Sequence, residues 1–166
     1  DAPRVCSANN ATVAGSLQTE HGNGLEEANV EIHCLTPTGA APVSLFDMTD
    51  GQGQYVFNKA IPLQCQYTLT PVKDNDPLNG VSTFDLVLIN KHILGLEPLN
   101  SPYKILAADA NNSRSLTTFD IVEFRKLILG IYTELPNNTS WRFIDKNFAF
   151  PDPLNPFKTA FPEQKT

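Results

Sequence analysis

Apolar and polar residues alternate along short runs in the first part of the chain. In the run Asn29–Leu35, the alternation places Val30, Ile32 and Cys34 on one face, as in a half-buried strand. Four further runs follow the same pattern: Thr12–Gln18, Pro42–Phe46, Gln54–Phe57 and Cys65–Thr70. Clusters of Gly, Asn, Asp and Pro separate the runs. Such spacing predicts a small antiparallel β-sandwich over residues 12–72.

The pattern then changes to an internal repeat with helical character. Ser82–Gly95 aligns with Thr117–Gly130 at an offset of 35 residues, and eight of the fourteen positions are identical. Each copy begins with a residue suited to the N-cap, has Asp three residues later as in a capping box, and ends with Gly. Apolar residues lie on more than one side of each predicted helix. We therefore expect the two helices to pack on each other and on the β domain.

The last part of the chain is rich in proline and phenylalanine. Phe148, Phe150, Phe157 and Phe161 alternate with prolines, which favours an extended segment that lies against a surface. The prediction for the whole chain is an α+β fold in four parts. These are an extended N-terminal segment at 1–11, a β-sandwich at 12–72, a helical repeat at 73–131 and an extended C-terminal segment at 132–166.

Composition and charge narrow the possible functions. The chain has 12 basic and 18 acidic residues, a net charge of −6, which argues against a general nucleic-acid binder. No apolar run approaches the roughly 18 residues of a membrane span. HExxH, GxSxG and glycine-rich phosphate loops are absent from the sequence. We therefore expect a protein that is not an enzyme.

An acidic, asparagine-rich loop precedes each repeat helix. In the second loop, Asp109–Asp120, oxygen-bearing side chains fall at positions 1, 3, 5, 9 and 12, and Ser115 at position 7 offers its carbonyl. The five side chains belong to Asp109, Asn111, Ser113, Thr117 and Asp120. Calcium takes 6–8 oxygen ligands, and this spacing can wrap a loop around one ion. The second loop is thus a predicted calcium site.

The first loop, Asp74–Asp85, fits the same frame less completely. Its predicted ligands are the side chains of Asp74, Asp76, Ser82 and Asp85 and the carbonyl of Gly80. Where an EF-hand loop has Gly at position 6, the two loops have Asn79 and Arg114, and a left-handed Arg costs about 1–2 kcal/mol. Val81 and Leu116 at position 8 suggest a short β-bridge between the loops. The alternative is that Asp85 and Asp120 only cap their helices.

The paired loop and helix, with Asp at position 12, resembles a dockerin-type domain built from two calcium motifs. The stretch Lys73–Leu86 is similar to modules found in large secreted Bacteroidetes proteins. The turn and strand Thr49–Phe57 resemble those of carboxypeptidase-regulatory-like or collagen-binding-protein-B-like sandwiches. The resemblance covers about residues 12–131. It implies an extracellular or cell-surface module without catalytic activity that holds two calcium ions.

Three cysteines and several sequons suggest covalent modifications. We expect Cys34 and Cys65 to form a disulfide between neighbouring strands, with two buried free thiols as the alternative. Cys6 would then be unpaired or linked to another chain. Glycosylation sequons begin at Asn10, Asn137 and Asn138, whereas the one at Asn111 falls on a predicted ligand.

Three functions are compatible with these features. The first is a calcium-stabilised structural or adhesive module, which self-associates into a filament if the terminal segments add a strand to a neighbour's sheet. The second is a docking module that attaches a larger secreted enzyme to a scaffold or another surface protein. Glycan binding is the third, with Trp141 as the only tryptophan. In a monomer, the C-terminal segment would instead fold back over the helices at Phe84–Leu94 and Phe119–Leu129.

Overall fold

The chain has a mixed α+β fold, and its described residues form five strands in two antiparallel sheets and three α-helices. The computed structural model describes residues 10–35, 43–62 and 66–163. It divides into two compact units, of which the first ends at Val72 and the second spans Lys73–Glu163. The strands of the first unit are β1 (Asn10–Ser16), β2 (Asn29–Leu35), β3 (Val43–Met48), β4 (Gln54–Pro62) and β5 (Gln66–Val72).

The prediction that one face of the strand at Asn29–Leu35 is buried is confirmed. Val30, Ile32 and Cys34 of β2 are 1%, 1% and 2% exposed. The strand is central in a sheet of order β3-β2-β5, where Ile32 lies opposite Leu45 and Leu69. In the other sheet, β1 pairs with β4. Side chains of both sheets meet in one core, formed by Val13, Val30, Ile32, Tyr55, Phe57, Ile61 and Leu69.

The turn before β4 is held by polar side chains that satisfy buried backbone groups. The Thr49 hydroxyl donates to the Leu25 carbonyl at 2.6 Å and accepts from the Ala28 amide at 2.9 Å. The carboxylate of Asp50 accepts from the amides of Gln52 and Gln54, both at 2.9 Å. Because each of these polar groups has a partner, the turn can lie against the core without a large desolvation penalty.

The helices of the second unit are α1 (Thr83–Ile93), α2 (Pro102–Ala108) and α3 (Thr118–Ile128). Both predicted capping boxes are present, with Ser82 and Thr117 as the N-caps of α1 and α3. Gly95 and Gly130 follow the helix ends with φ of 68° and 69°, so the predicted stops are also confirmed. The helix α2, which Ser101 caps, was not predicted from the sequence.

The core of the second unit lies between the two repeat helices. It consists of Ile89, Ala108, Ala110 and Phe124, and partly buried side chains from both loops, including Val81 and Leu116, pack against it. The opposite faces of α1 and α3 are open: Phe84 and Phe119 are 65% and 71% exposed. One apolar stripe of each helix therefore forms the core, and the other remains at the surface.

The C-terminal segment folds back within the second unit, where Leu135 packs against the core between α1 and α3. It does not hide the second apolar face of these helices, as proposed from the sequence, because Phe84 and Phe119 stay exposed. The Phe150 ring packs against Tyr103 of α2, with the ring centroids 5.7 Å apart. One 3-10 turn, Pro156–Lys158, interrupts the segment, and Pro156 is buried. The segment covers α2 and the second loop, because that is where its aromatic rings and polar groups find partners.

Cys34 is part of a disulfide. Cys6 and Cys65 lie outside the described residues, so the pairing of Cys34 with Cys65 stays a prediction. The strand β5 begins at Gln66, which pairs with Leu35. Across the described ranges, no helix has both the length and the apolar character needed to span a membrane.

Candidate calcium-binding loops

The second loop surrounds two fully buried carboxylates. Asp109 and Asp120 are both 0% exposed. The oxygens of Asp109 accept from the amides of Ser113 at 2.9 Å and Arg114 at 2.8 Å. Asp120 accepts from the amide of Asn111 at 3.3 Å. Both carboxylates are thus directed at the same stretch of loop backbone, residues 111–114.

The loop backbone is curved by two residues in the left-handed region. Asn112 has φ of 56° and Arg114 has φ of 63°. Position 6 of the loop, Arg114, therefore has the conformation that usually selects Gly in an EF-hand loop. A non-glycine residue with φ above zero is strained, and the contacts of Arg114 with Asp109 compensate for this strain.

Three further predicted ligands of the second loop lie close together. The Asn111 side-chain oxygen accepts from the Ser113 amide at 3.0 Å. The Ser113 hydroxyl donates to the Ser115 carbonyl at 3.1 Å. Thr117 instead uses its hydroxyl at the helix N-terminus, where it contacts Asp120 and accepts from the Phe119 amide. Five of the six predicted ligand residues therefore gather oxygen atoms around the loop, and Thr117 acts mainly as a cap.

The electrostatics of the second loop favour a cation. Asp109 and Asp120 take part in none of the ion pairs found among residues 10–35, 43–62 and 66–163. Burying two carboxylates without a cationic partner is costly even when amides donate to them. A bound divalent cation would neutralise both charges. The carbonyl, amide and carboxylate oxygens around them are the ligands that calcium prefers.

Helix capping explains the burial and hydrogen bonds of Asp85 more completely than those of Asp120. In both capping boxes the carboxylate accepts from the N-cap amide, at 2.7 Å from Ser82 and 2.8 Å from Thr117. Asp85, however, is only partly buried, whereas Asp120 is fully buried and also bonds the loop amide of Asn111. The helix caps are therefore real in both copies, and Asp120 has an additional role in the loop.

The first loop is more open than its sequence suggested. Asp74 and Asp76 are exposed, and the left-handed residues are Asp76, with φ of 53°, and Gly80, with φ of 77°. Asn79 at position 6 is not left-handed, and its amide donates to the Asp76 carbonyl at 2.9 Å. Nowhere in the described part of the chain do three or more His, Cys, Asp or Glu side chains form a group that could hold a metal. In the first loop the three aspartates are thus not gathered.

The predicted β-bridge between the loops is absent from the described residues. The one isolated bridge found there joins Gln18 and Gly24. Val81 donates its amide to the Leu78 carbonyl at 3.0 Å within its own loop, so this amide is not available to Leu116. Both position 8 side chains still pack into the helical core. The expectation of a bridge was therefore wrong, although both side chains face the interior.

The C-terminal segment supplies loop contacts that the sequence analysis missed. The Asn138 side-chain amide donates to the Asp109 carbonyl at 2.7 Å, and the Ser140 backbone amide donates to the Asp74 carboxylate at 2.7 Å. Arg142 donates to the side-chain oxygen of Asn112 at 3.3 Å. These residues lie outside the repeat, and nothing in their local pattern marks them as partners of the loops.

The glycosylation sequons differ in accessibility. Asn137 is exposed in a turn, whereas the amide nitrogen of Asn138 is bonded to Asp109. A glycan on Asn138 would need that same nitrogen, so Asn137 is the better acceptor of the two. Asn10 begins β1.

Comparison with family models, curated proteins and solved structures found no match to this chain.

Proposed function

We propose that the chain is an extracellular, non-catalytic module in which a β-sandwich is followed by a dockerin-like pair of calcium loops. The observation that carries the proposal is the fully buried pair Asp109 and Asp120, which lacks a cationic partner among the described residues. Calcium binds there through oxygens of these two residues together with those of Asn111, Ser113 and Ser115.

The two loops differ in how much ordering calcium must produce. In the second loop, hydrogen bonds already hold Asp109 and Asp120 against the loop backbone. The first loop must bring the exposed Asp74 and Asp76 toward Asp85. Ordering a residue costs about 1–2 kcal/mol in backbone entropy. The second loop therefore binds calcium more tightly than the first.

Calcium-dependent unfolding tests this proposal. A ligand that binds only the folded state stabilises it by RT ln(1 + [L]/Kd), which is about 2.7 kcal/mol at 100 Kd. Calcium should therefore raise the melting temperature of the wild-type chain, and an excess of chelator should reverse the increase. Asp109→Asn should abolish most of the calcium effect, whereas the exposed control Glu134→Gln should retain it. Identical melting of the wild type in calcium and in chelator would contradict the proposal.

A docking role is favoured by the open faces of the repeat helices. Apolar side chains are exposed at four equivalent positions of both copies, in the pairs Phe84 and Phe119, Val87 and Val122, Leu94 and Leu129, and Leu96 and Ile131. Exposed large apolar side chains that recur in both copies mark candidate protein-interaction sites. We propose that this face binds a protein partner, in accordance with the dockerin resemblance.

Self-association into a filament is a separate proposal that rests on the terminal segments. Residues 1–9 lie outside the described residues, and Phe150 already contacts Tyr103 within the chain. Sedimentation measurements of the full chain and of a variant lacking residues 1–9 distinguish the two roles. Assembly that disappears with the deletion supports the filament. A monomer whose partner binding is lost in Phe84→Ser with Phe119→Ser supports docking.

A further inference from the structure

A short stretch of the C-terminal segment, Asn138–Arg142, contacts both candidate calcium loops, and we call it the bracing segment. The Asn138 side-chain amide donates to the Asp109 carbonyl at 2.7 Å. Two residues later, the Ser140 backbone amide donates to the Asp74 carboxylate, also at 2.7 Å. Asp109 and Asp74 are the first residues of the second and first loops. Three consecutive residues therefore connect the beginning of one loop to the beginning of the other.

The conformation of the bracing segment is fixed by its own hydrogen bonds. The side-chain oxygen of Asn138 accepts from the Thr139 amide at 3.0 Å, so the amide nitrogen is oriented toward Asp109. The Thr139 hydroxyl donates to the Trp141 carbonyl at 2.8 Å. These bonds restrain the backbone between residues 138 and 141, so we expect a displacement at Asn138 to affect Ser140.

The bracing segment is anchored more firmly to the second loop than to the first. Arg142 donates to the Asn112 side chain at 3.3 Å and forms an ion pair with Glu163 at 2.8 Å. Arg114 of the second loop donates to the Phe157 carbonyl at 2.9 Å, which attaches a later part of the C-terminal segment to the same loop. The Asp74 contact involves an exposed carboxylate. We therefore expect that ordering of the second loop helps to order the first loop.

We propose that the bracing segment couples calcium binding at the two loops, with Asn138 and Ser140 as positioning residues. This inference rests on the proposed calcium function. Calcium in the second loop fixes Asp109 and hence the bracing segment, which holds Asp74 in place for the first loop. A second ligand that finds its site already ordered loses less entropy on binding, and the gain in affinity is the same for both sites. We expect a factor of about five to ten, the lower end of the usual range of such coupling.

Calcium titrations of the full chain test this coupling with two readouts. Calorimetry gives the affinities of the two sites, and the emission of Trp141, the only tryptophan, reports on the bracing segment itself. Asn138→Ala removes the donor to Asp109, with the exposed neighbour variant Asn137→Ala as its control. Ser140→Pro removes the backbone donor to Asp74, whereas the control Ser140→Ala retains it.

The wild type and both controls should bind two calcium ions with about five- to tenfold coupling, accompanied by a change in tryptophan emission. Ser140→Pro should lose the coupling. The calcium affinity of the second loop alone is measured in chains that also carry Asp76→Ala, which disables the first loop, and Ser140→Pro should leave this affinity unchanged. Circular dichroism checks that each variant folds; if Ser140→Pro does not, the pair Asn138→Ala and Asn137→Ala decides. Independent sites in the wild type, binding of a single ion, or equal coupling in variant and control would overturn the coupling but not the calcium function. No calcium binding at all would overturn both.

Discussion

Replacing Asp120 by Asn distinguishes a calcium ligand from a simple helix cap. Without calcium, the two roles predict changes of opposite sign in the free energy of unfolding. The asparagine side chain would keep an oxygen that can accept from the Thr117 amide, which Asp120 binds at 2.8 Å. The cap should therefore weaken by well under about 1 kcal/mol, since the third helical residue of a capping box can be an acid or its amide. The buried negative charge, however, is removed completely.

Without calcium, the loss of that charge should stabilise the chain. Asp109 and Asp120 are both fully buried and directed at the same loop, so their mutual repulsion and desolvation oppose folding. We expect Asp120→Asn to raise the free energy of unfolding in chelator by on the order of 1 kcal/mol. For a unit of this size, this corresponds to about 4–8 °C in melting temperature.

With saturating calcium, the same substitution should destabilise the chain. The wild type gains about 2.7 kcal/mol at 100 Kd, and the variant forfeits most of this gain. Thermal and urea unfolding in calcium and in chelator measure both values, and Asp85→Asn in the more open first loop is the matched comparison. An equal loss of stability for Asp120→Asn under both conditions would show that Asp120 is only a cap, and would refute the reasoning.

Three further predictions concern the packing and the pH dependence of stability. Gly15→Ala should cost about 1–3 kcal/mol in urea unfolding because its Cβ would clash with the Tyr55 ring, whereas Gly51→Ala, whose Cβ would meet only the Glu26 carboxylate at 3.8 Å, should be near neutral. Leu127→Ala should cost about 2–5 kcal/mol, since Leu127 is 1% exposed, while Leu129→Ala, at 67% exposed, should change stability little. Burial raises the pKa of Tyr55 above its usual value of 10.0. The stability that depends on the neutral phenol should therefore be complete below about pH 10 and fall as the pH rises through the raised pKa. Tyr55→Phe should remove this part of the alkaline pH dependence.

The features predicted from the sequence are those set by short-range periodicity. The alternation of Val30, Ile32 and Cys34 specifies which face of β2 is buried, because successive strand residues point to opposite sides. The repeat likewise gives both helix starts at Ser82 and Thr117, since the capping residues lie within three positions of each other.

Features that depend on distant residues were not predicted. Ser140 is 66 residues from Asp74, and Arg114 is 43 residues from Phe157, so no local pattern could place the C-terminal segment on the loops. The helix α2 had a recognisable start at Ser101 followed by proline, but its seven residues are too few for a helical period to stand out.

The two loops differ in the backbone conformation of the residue at position 6. Arg114 is held left-handed by the carboxylate of Asp109, which a spacing rule alone does not reveal. Asn79 tolerates the left-handed region well, yet Gly80 beside it takes that conformation instead. The same ligand spacing therefore gives one buried loop and one open loop.

Isothermal titration of the calcium-stripped chain with calcium tests the central claim most directly. We predict saturable binding, with the tighter site lost in Asp109→Asn and retained in the exposed control Glu134→Gln. Magnesium should bind more weakly, because it demands near-ideal octahedral geometry and keeps several of its waters. Absence of calcium binding by the folded wild-type chain, checked by equilibrium dialysis, would contradict the claim that the buried pair Asp109 and Asp120 holds a calcium ion.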